Sequence, residues 1–509
     1  MGWSSWNRFG CDIDEEKILG QARALVASGL RDVGYDLVAI DDCWQGPRDA
    51  RGRLTADPRR FPSGMRAMGD RLHAMGLRFG LYTAIGEVTC ALRPGSFGHE
   101  EDDARTFAEW GVDAIKVDWC WHAGLLEAFG AIRPADAYAH FKTALDGAGR
   151  PIALSIASMG TREAVAIMPA RNVGEWAPAL GATFRVGGDI TNDWTGVVHG
   201  LAKANDWAAS VTPGHYADPD SLQIGNGRLD VVESRAHFAM WAMASAPLVL
   251  GNDLAAMTAE TRAIVADPAI VAIDRDPLRI PGVVVARSAT GVETWSRPLA
   301  GRARRAVALF NPGPRAERAS VTWDTVGLAP GLATARVLGG AEATAERFET
   351  VVPAHGAVLL DVRGSTPPPT RREAWVSDLV MTYAATYLGP VRRDASIGGR
   401  PLSIGGVRAT KGLGVHAPSI VKVHLGRACS RFEATVGLDD ETLGRGSAIF
   451  EVRADGVLVG AATVAERGAR RAIVADVRGR AELALVVRAA GATAFDHADW
   501  AGARLVCAP

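Results

Sequence analysis

Lys116 and Asp118 close the apolar run Ala114-Ile115-Lys116-Val117-Asp118. The alternation predicts a short strand with Ile115 and Val117 on one face and Lys116 and Asp118 on the other. A lysine and a carboxylate at a strand end are costly to bury unless they are used or paired. The segment is therefore either a catalytic strand end or a structural ion pair. Other acids follow the same pattern: Asp41 and Asp42 end the run 35–42, Asp189 lies in the run 182–190, and Asp218 and Asp220 flank Pro219. Several carboxylates around one cavity, with Trp6, Trp44, Tyr82 and Tyr216 near them in the chain, suit a carbohydrate. Aromatic faces cover apolar sugar C–H surfaces, carboxylates accept bonds from hydroxyls, and hydrolysis of a glycoside needs two carboxyl groups flanking the bond. Clustered acids also serve Mg²⁺ or Ca²⁺. Against a metal, Lys116 stands beside Asp118 and Arg185 stands four positions before Asp189, so each acid already has a cation near it. Neither a metal nor a cofactor is expected.

Such acids need a frame that brings strand ends to one rim. Residues 1–280 alternate strand-like runs, at 35–42, 78–85, 114–118, 151–158 and 182–190, with helical patterns. Asp14 is placed to cap a helix carrying Ile18, Ala22, Leu25 and Val26 on one face. Residues 99–110 are acidic first and then apolar on one face, and 231–246 form a strongly apolar helix. Regular βα alternation over this length predicts a (β/α)₈ barrel, whose chemistry sits at the C-terminal strand ends. A doubly wound sheet is the rival, but no strand is followed by a GxGxxG turn. Residues 281–363 change to short alternating strands separated by Gly/Pro turns, an antiparallel β domain of sandwich type. Residues 364–372 carry three prolines and read as a stiff linker, and 373–509 are again all-β.

Composition narrows the function. The chain has 509 residues, too many for one core, and a net charge of -1 with its basic residues scattered, so no nucleic-acid partner is expected. No apolar run approaches the ~20 residues of a membrane span. Six cysteines without a CxxC pair argue against zinc. An even count fits either three disulfides in an exported protein or six reduced thiols. No export signal is visible at Met1; the chain opens as if inside a first strand, and a few upstream residues are expected to precede it.

In these segments the chain closely resembles glycoside hydrolase family 27, the α-galactosidase and α-N-acetylgalactosaminidase family. The matching motifs are MGWSSWNRFGCD at Met1, YDLVAIDDCWQ at Tyr35, RPGSFGHEEDDARTFAEWGVDAIKVD at Arg93, FRVGGDI at Phe184, DPDSLQIGN at Asp218 and WAMASAPLVLGNDL at Trp241. The resemblance implies a retaining exo-hydrolase of terminal α-D-galactosides, with Asp118 as nucleophile and Asp189 as acid/base. It implies Asp41 and Asp42 on the sugar's 4- and 6-hydroxyls and Lys116 on the 3- and 4-hydroxyls. Trp6 and Tyr82 would be pocket walls, and Arg185 and Asp220 would lie near the 2- and 3-hydroxyls. It implies disulfides Cys11–Cys43 and Cys90–Cys120, and an exported, secreted or periplasmic, protein. Lys116 should hold Asp118 ionised at neutral pH. Asp189 should gain a proton when a glycosyl group excludes water from the site.

One departure stands out. Family α-galactosidases usually carry Cys-Glu-Trp after the strand that here covers 151–155, whereas this chain has Ile156-Ala157-Ser158. The glutamate that would meet the 2-hydroxyl is Ala157, so that corner is wider and less polar. Small residues there, a serine and an alanine, accompany a 2-acetamido group in the family, and Ala157 with Gly160 loosely echoes that pair. The alternatives are thus an α-N-acetylgalactosaminidase, a β-L-arabinopyranosidase or an isomaltodextranase-like enzyme of the same fold, or a non-catalytic galactoside-binding protein. Asp41-Asp42-Cys43-Trp44 favours a galacto-configured sugar. Residues 373–509 resemble the NPCBM type of carbohydrate-binding module through RRDASIGGRPLSIGGVRATKGLGVHA at Arg392, SRFEATVGLDDET at Ser430 and FDHADWAGARL at Phe495. That implies a β-sandwich jelly roll with a glycan ligand. His416, Asp439, Asp440, His497, Asp499 and Trp500 are its candidate site residues, or else hydrogen-bonding residues of the fold, and Cys429 and Cys507 are a possible pair.

Overall fold

The computed structural model describes residues 1–120, 133–157, 173–465, 468–491 and 494–508. Its first unit holds eight short strands: β1 (Gly2–Ser4), β2 (Leu37–Ala39), β3 (Arg78–Ala84), β4 (Ala114–Asp118), β5 (Ala153–Ala157), β6 (Thr183–Arg185), β7 (Tyr216–Asp218) and β8 (Val249–Leu250). Their order is β7-β6-β5-β4-β3-β2-β1-β8, and the pairings are parallel. Neighbours in sequence are neighbours in space except where β8 returns to β1, and a parallel bridge between Leu222 and Leu250 joins the remaining flank. This is the curled sheet of a (β/α)₈ barrel.

The helices between the strands follow from local chemistry. Asp14 caps Glu15–Ala27, its Oδ1 accepting the Lys17 amide at 2.7 Å, and Ile18, Leu19, Ala22 and Leu25 are buried. Helix Glu100–Glu109 opens with Glu100, Glu101, Asp102 and Asp103, which suit the positive end of its dipole. Helix Val231–Ala244 has no polar stripe over its second half: Phe238 to Ala244 are all buried. On β4 the burial alternates as the sequence predicts, with Ile115 and Val117 fully buried and Lys116 and Asp118 half-buried.

Two strands are shorter than their sequence runs. β2 covers three residues of 35–42, and β6 stops at Arg185, well before Asp189. Gly187 and Gly188 follow, and the chain bends away there. Asp189 consequently lies on a loop beyond its strand.

The second unit contains most of the rest of the chain. Strands β9 (Val283–Arg287), β10 (Glu293–Leu299), β11 (Arg304–Asn311), β12 (Glu317–Thr322), β13 (Ala333–Val337), β14 (Glu342–Ala345), β15 (Arg347–Val352) and β16 (Gly356–Arg363) form an antiparallel sheet ordered β14-β13-β16-β11-β10-β9 plus the pair β12-β15. Val307, Leu309, Val321, Trp323 and Leu360 fill its core. The C-terminal strands build two further antiparallel sheets around Phe432, Phe450 and Trp500, with Phe450 edge-on to Trp500 at 5.3 Å. The six cysteines form three disulfides, Cys11–Cys43, Cys90–Cys120 and Cys429–Cys507. No helix among the described residues is long and apolar enough to cross a membrane.

Candidate active site

The C-terminal ends of the parallel strands carry the acids. Asp41 follows β2, Asp118 ends β4, and Asp218 ends β7. A cavity inside the barrel is lined by Trp6, Asp41, Lys116, Ser155, Arg185, Asp189, Asp218 and Asp220, with the small residues Ser4, Ala39, Gly80 and Ala114 below them. The branched residues Leu37, Ile40, Leu81, Ile115 and Val249 line the cavity too, as is usual in a barrel interior.

Lys116 does not pair with Asp118. Its Nζ donates to Asp41 Oδ2 at 3.0 Å and lies 5.0 Å from the centre of the Tyr82 ring. Burial alone would lower the Lys116 pKa, but Asp41, then Asp118, outweigh it and hold the ammonium charged. Asp118 accepts from the Tyr82 hydroxyl through Oδ2 at 3.0 Å and from the Trp119 amide at 3.3 Å. Burial pushes the Asp118 carboxyl up to about 6, against the opposing pull of Lys116 and Arg185. Lys116 was expected to hold Asp118 ionised; it only limits a rise that desolvation dominates. Burial first, then the carboxylates Asp118, Asp42 and Asp41, raise the Tyr82 phenol well above its usual range, so Tyr82 remains a neutral donor.

Asp42 is buried and faces backbone, accepting from the amides of Cys43 at 2.7 Å and Ala91 at 2.9 Å; burial raises its pKa. Like Asp118 and Tyr82, it is not among the residues that line the cavity. Arg185 organises the far side. Its Nη1 donates to Asp220 Oδ2 at 2.9 Å and Asp189 Oδ1 at 3.2 Å. Its buried Nε has no hydrogen-bond partner among the described residues and stands 3.8 Å from Asp218 Oδ2. Burial works against the charged guanidinium, but Asp220 and Asp218, then Asp189 and Asp118, raise its pKa further. Asp189 itself is open, with 68% of its side chain exposed.

Two aromatics expected near the sugar lie elsewhere. Trp44 is fully buried, donating to the Tyr82 carbonyl at 2.9 Å and packing edge-on against Trp110. Tyr216 begins β7 rather than ending it, and its hydroxyl accepts from the Gly214 amide at 3.3 Å. Trp6 opens a short helix and lines the cavity. Asp218 and Ser155 were not among the residues assigned a role by resemblance, yet both line it; the signal for Asp218 was its place at a strand end, and Ser155 had none. Ala157 is buried and pairs in register with Asp118 across β4 and β5. Ser158 and Gly160 lie outside the described residues. Cys90 and Cys120 approach Asp118, but their sulfurs are joined in a disulfide, which leaves no thiolates to bind a metal with it.

In the C-terminal module, Trp500 belongs to the core and Asp499 is fully buried, so neither faces a ligand. Asp440 holds a turn, accepting from Ser403 Oγ at 2.6 Å and the Gly405 and Gly406 amides. Asp439 accepts from the Ser403 and Glu441 amides. His416 is buried with Nδ1 on the Ala417 carbonyl, and His497 pairs with Glu441 at 2.7 Å. The structural reading of these residues prevails for all but His497, which lines a small surface pocket with Arg392.

This geometry can be set against known proteins. Residues 1–276 match the family described as Alpha galactosidase A, 289–362 the Alpha galactosidase C-terminal beta sandwich domain, and 372–506 the NPCBM/NEW2 domain. Alpha-galactosidase 3 of Arabidopsis thaliana is 40% identical over 64% of this chain and 72% of its own. Alpha-galactosidase A of Cellvibrio japonicus is 42% identical over 55% and 68%. The crystal structure of alpha-galactosidase I from Mortierella vinacea superposes with a TM-score of 0.65 at 29% identity, covering 72% of this chain and 96% of that one. With barrel, β-sandwich and motifs all matched, the chain belongs to the α-galactosidase family of glycoside hydrolases.

Proposed function

We propose that the protein releases terminal α-D-galactose from α-galactosides by double displacement with retention at the anomeric carbon. The observation that carries this reading is the grouping on one barrel rim of a half-buried carboxylate, Asp118, and an open one, Asp189, with Arg185 bonded to Asp189 and its charge felt by Asp118. Asp118, mainly ionised at pH 7 with a pKa of about 6, attacks the anomeric carbon. The exposed Asp189 delivers its proton to the departing oxygen, the C–O bond breaks, and a glycosyl ester forms on Asp118. Asp189 then takes a proton from water, whose oxygen attacks the same carbon and frees Asp118. Tyr82 donates to Asp118 and steadies the carboxylate. Asp41 and Lys116, already paired, present an acceptor and a donor to adjacent hydroxyls. Asp42 acts on the 6-hydroxyl side, Trp6 and Tyr82 wall the pocket, and Arg185 with Asp220 meets the 2- and 3-hydroxyls. No cofactor enters.

The test is initial rates on matched nitrophenyl glycosides: α-galactoside, α-N-acetylgalactosaminide, β-L-arabinopyranoside and α-glucoside. The α-galactoside should dominate, and Asp118→Ala should abolish its turnover. Full activity in Asp118→Ala ends this reading. The three disulfides support export to an oxidising compartment. The C-terminal module is read as a glycan-contacting accessory to the hydrolase.

A further inference from the structure

Asp189 stands on a loop that is shaped by another loop. The Val186 amide donates to the Asp218 carbonyl at 3.0 Å, the Ile190 amide to Asp220 Oδ2 at 2.9 Å, and the Asn192 side chain to the Asn226 carbonyl at 3.0 Å. Residues 218–226 are therefore the template on which 186–192 lies, and Asp220 is its central contact. Asp220 holds both Ile190, the residue after Asp189, and Arg185, which grips Asp189. Yet Asp220 is in a left-handed backbone conformation, φ 88°, where L side chains are strained. Within the loop the Asp220 amide donates to Asp218 Oδ1 at 2.9 Å and the Ser221 amide to Asp220 Oδ1 at 2.6 Å; a further support lies outside it.

That support comes from helix Val231–Ala244. The Trp241 indole N–H donates to the Asp220 carbonyl at 2.9 Å. One turn earlier, His237 Nε2 accepts from the Gln223 amide at 3.1 Å, and its ring packs edge-on against Trp241 at 4.1 Å. Both side chains are fully buried. Gly200 allows the close approach, because a Cβ there would stand 3.2 Å from the indole ring and 3.1 Å from the Pro219 carbonyl. Trp241 does not itself line the cavity; it reaches the rim only through Asp220.

We propose that Trp241, backed by His237, is a positioning residue for the proton-transfer step: its indole fixes Asp220, and Asp220 fixes where the Asp189 carboxyl stands. This rests on the reading of Asp189 as acid/base. A displaced acid costs most where the leaving group needs a proton, and little where it departs as a stable anion.

Trp241→Phe keeps the ring and deletes the donor. On melibiose its kcat/KM should fall about tenfold or more, while on 4-nitrophenyl α-galactoside it stays within about threefold of the parent. Galactose affinity by calorimetry should change by less than about threefold, which reports a folded site. His237→Leu, which frees Gln223, should show the same skew more weakly and serves if Trp241→Phe does not fold. Equal losses on both substrates in these variants, or no loss, overturn the proposal. Asp189→Ala is the control that separates the two claims. If it shows no skew, the acid/base reading itself fails; if it shows the skew and the Trp241 and His237 variants do not, only the positioning role fails.

Discussion

The Tyr82 hydroxyl donates to Asp118 Oδ2 at 3.0 Å while the face of the same ring carries Lys116 Nζ at 5.0 Å. One buried phenol thus stabilises an anion with its donor and a cation with its π face. Hydrogen bonds to charged groups contribute about 1.5–3 kcal/mol. Tyr82→Phe keeps the face and removes the donor, so kcat on an aryl α-galactoside should fall about ten- to a hundredfold. Steady-state rates decide it, and an unchanged kcat removes Tyr82 from the mechanism.

The pH dependence follows from Asp118. Its folded-state pKa is raised to about 6 by burial, so kcat/KM should fall as pH drops through about 6, because the nucleophile gains a proton. Lys116 is the largest influence opposing that rise. In Lys116→Met the acidic limb should therefore move to higher pH. A kcat/KM profile whose acidic limb is the same in both proteins excludes Asp118 as the group that titrates there.

Ala157 is adjacent in register to Asp118, one strand away. A glutamate introduced there would bring a carboxylate to accept from a free 2-hydroxyl and would crowd a 2-acetamido group. Ala157→Glu should lower the rate on α-N-acetylgalactosaminide relative to α-galactoside by about tenfold or more, the scale of one buried polar contact. An unmoved ratio means that specificity is set elsewhere in the pocket.

Some of this was legible from the chain and some was not. Asp118 could be found because β4 is five residues long, enough for alternation to show. β7 and β8 have three and two residues, too few for any period, so neither strand was delimited in advance, although Asp218 stood out beside Pro219. The run 182–190 looked like one strand, but the glycines after Val186 let the chain turn and carried Asp189 out to solvent. The aromatics failed for another reason. Whether a Trp after a strand faces the cavity or the core depends on where its N–H finds an acceptor, and Trp44 finds the Tyr82 carbonyl, 38 residues away in sequence. The Asp220–Trp241 contact is equally invisible in a sequence that shows only an apolar helix.

Beside the barrel, Arg48 forks onto Asp103 with both distances at 2.7 Å, and the Asp103 side chain is fully buried. Removing one partner of such a pair leaves an uncompensated buried charge and typically costs about 3–5 kcal/mol. Arg48→Ala should therefore destabilise the barrel far more than Arg23→Ala, whose exposed partner Glu16 contributes at most about 1 kcal/mol. Denaturant unfolding followed by tryptophan fluorescence checks the order; similar losses for both would show that Asp103 is relieved by water.

Asp499 gives the C-terminal module a pH dependence of its own. It sits on the central strand His497–Cys507, flanked in register by Gly414 and Gly437, and is fully buried. Burial, and then Asp439 beside it, raise its pKa well above the ordinary carboxylate range. In the unfolded chain the carboxyl ionises normally, whereas in the fold it resists ionisation. A group whose folded pKa is raised contributes stability that is present below the unfolded pKa and lost as pH rises through the folded pKa. Asp499→Asn is neutral at every pH and keeps the volume, so it escapes that loss. The variant should melt close to the parent at about pH 4 and progressively above it towards about pH 8, read as the transition of the module in calorimetry of the full chain. Melting curves that run parallel across this range would mean that Asp499 titrates alike in the folded and the unfolded chain.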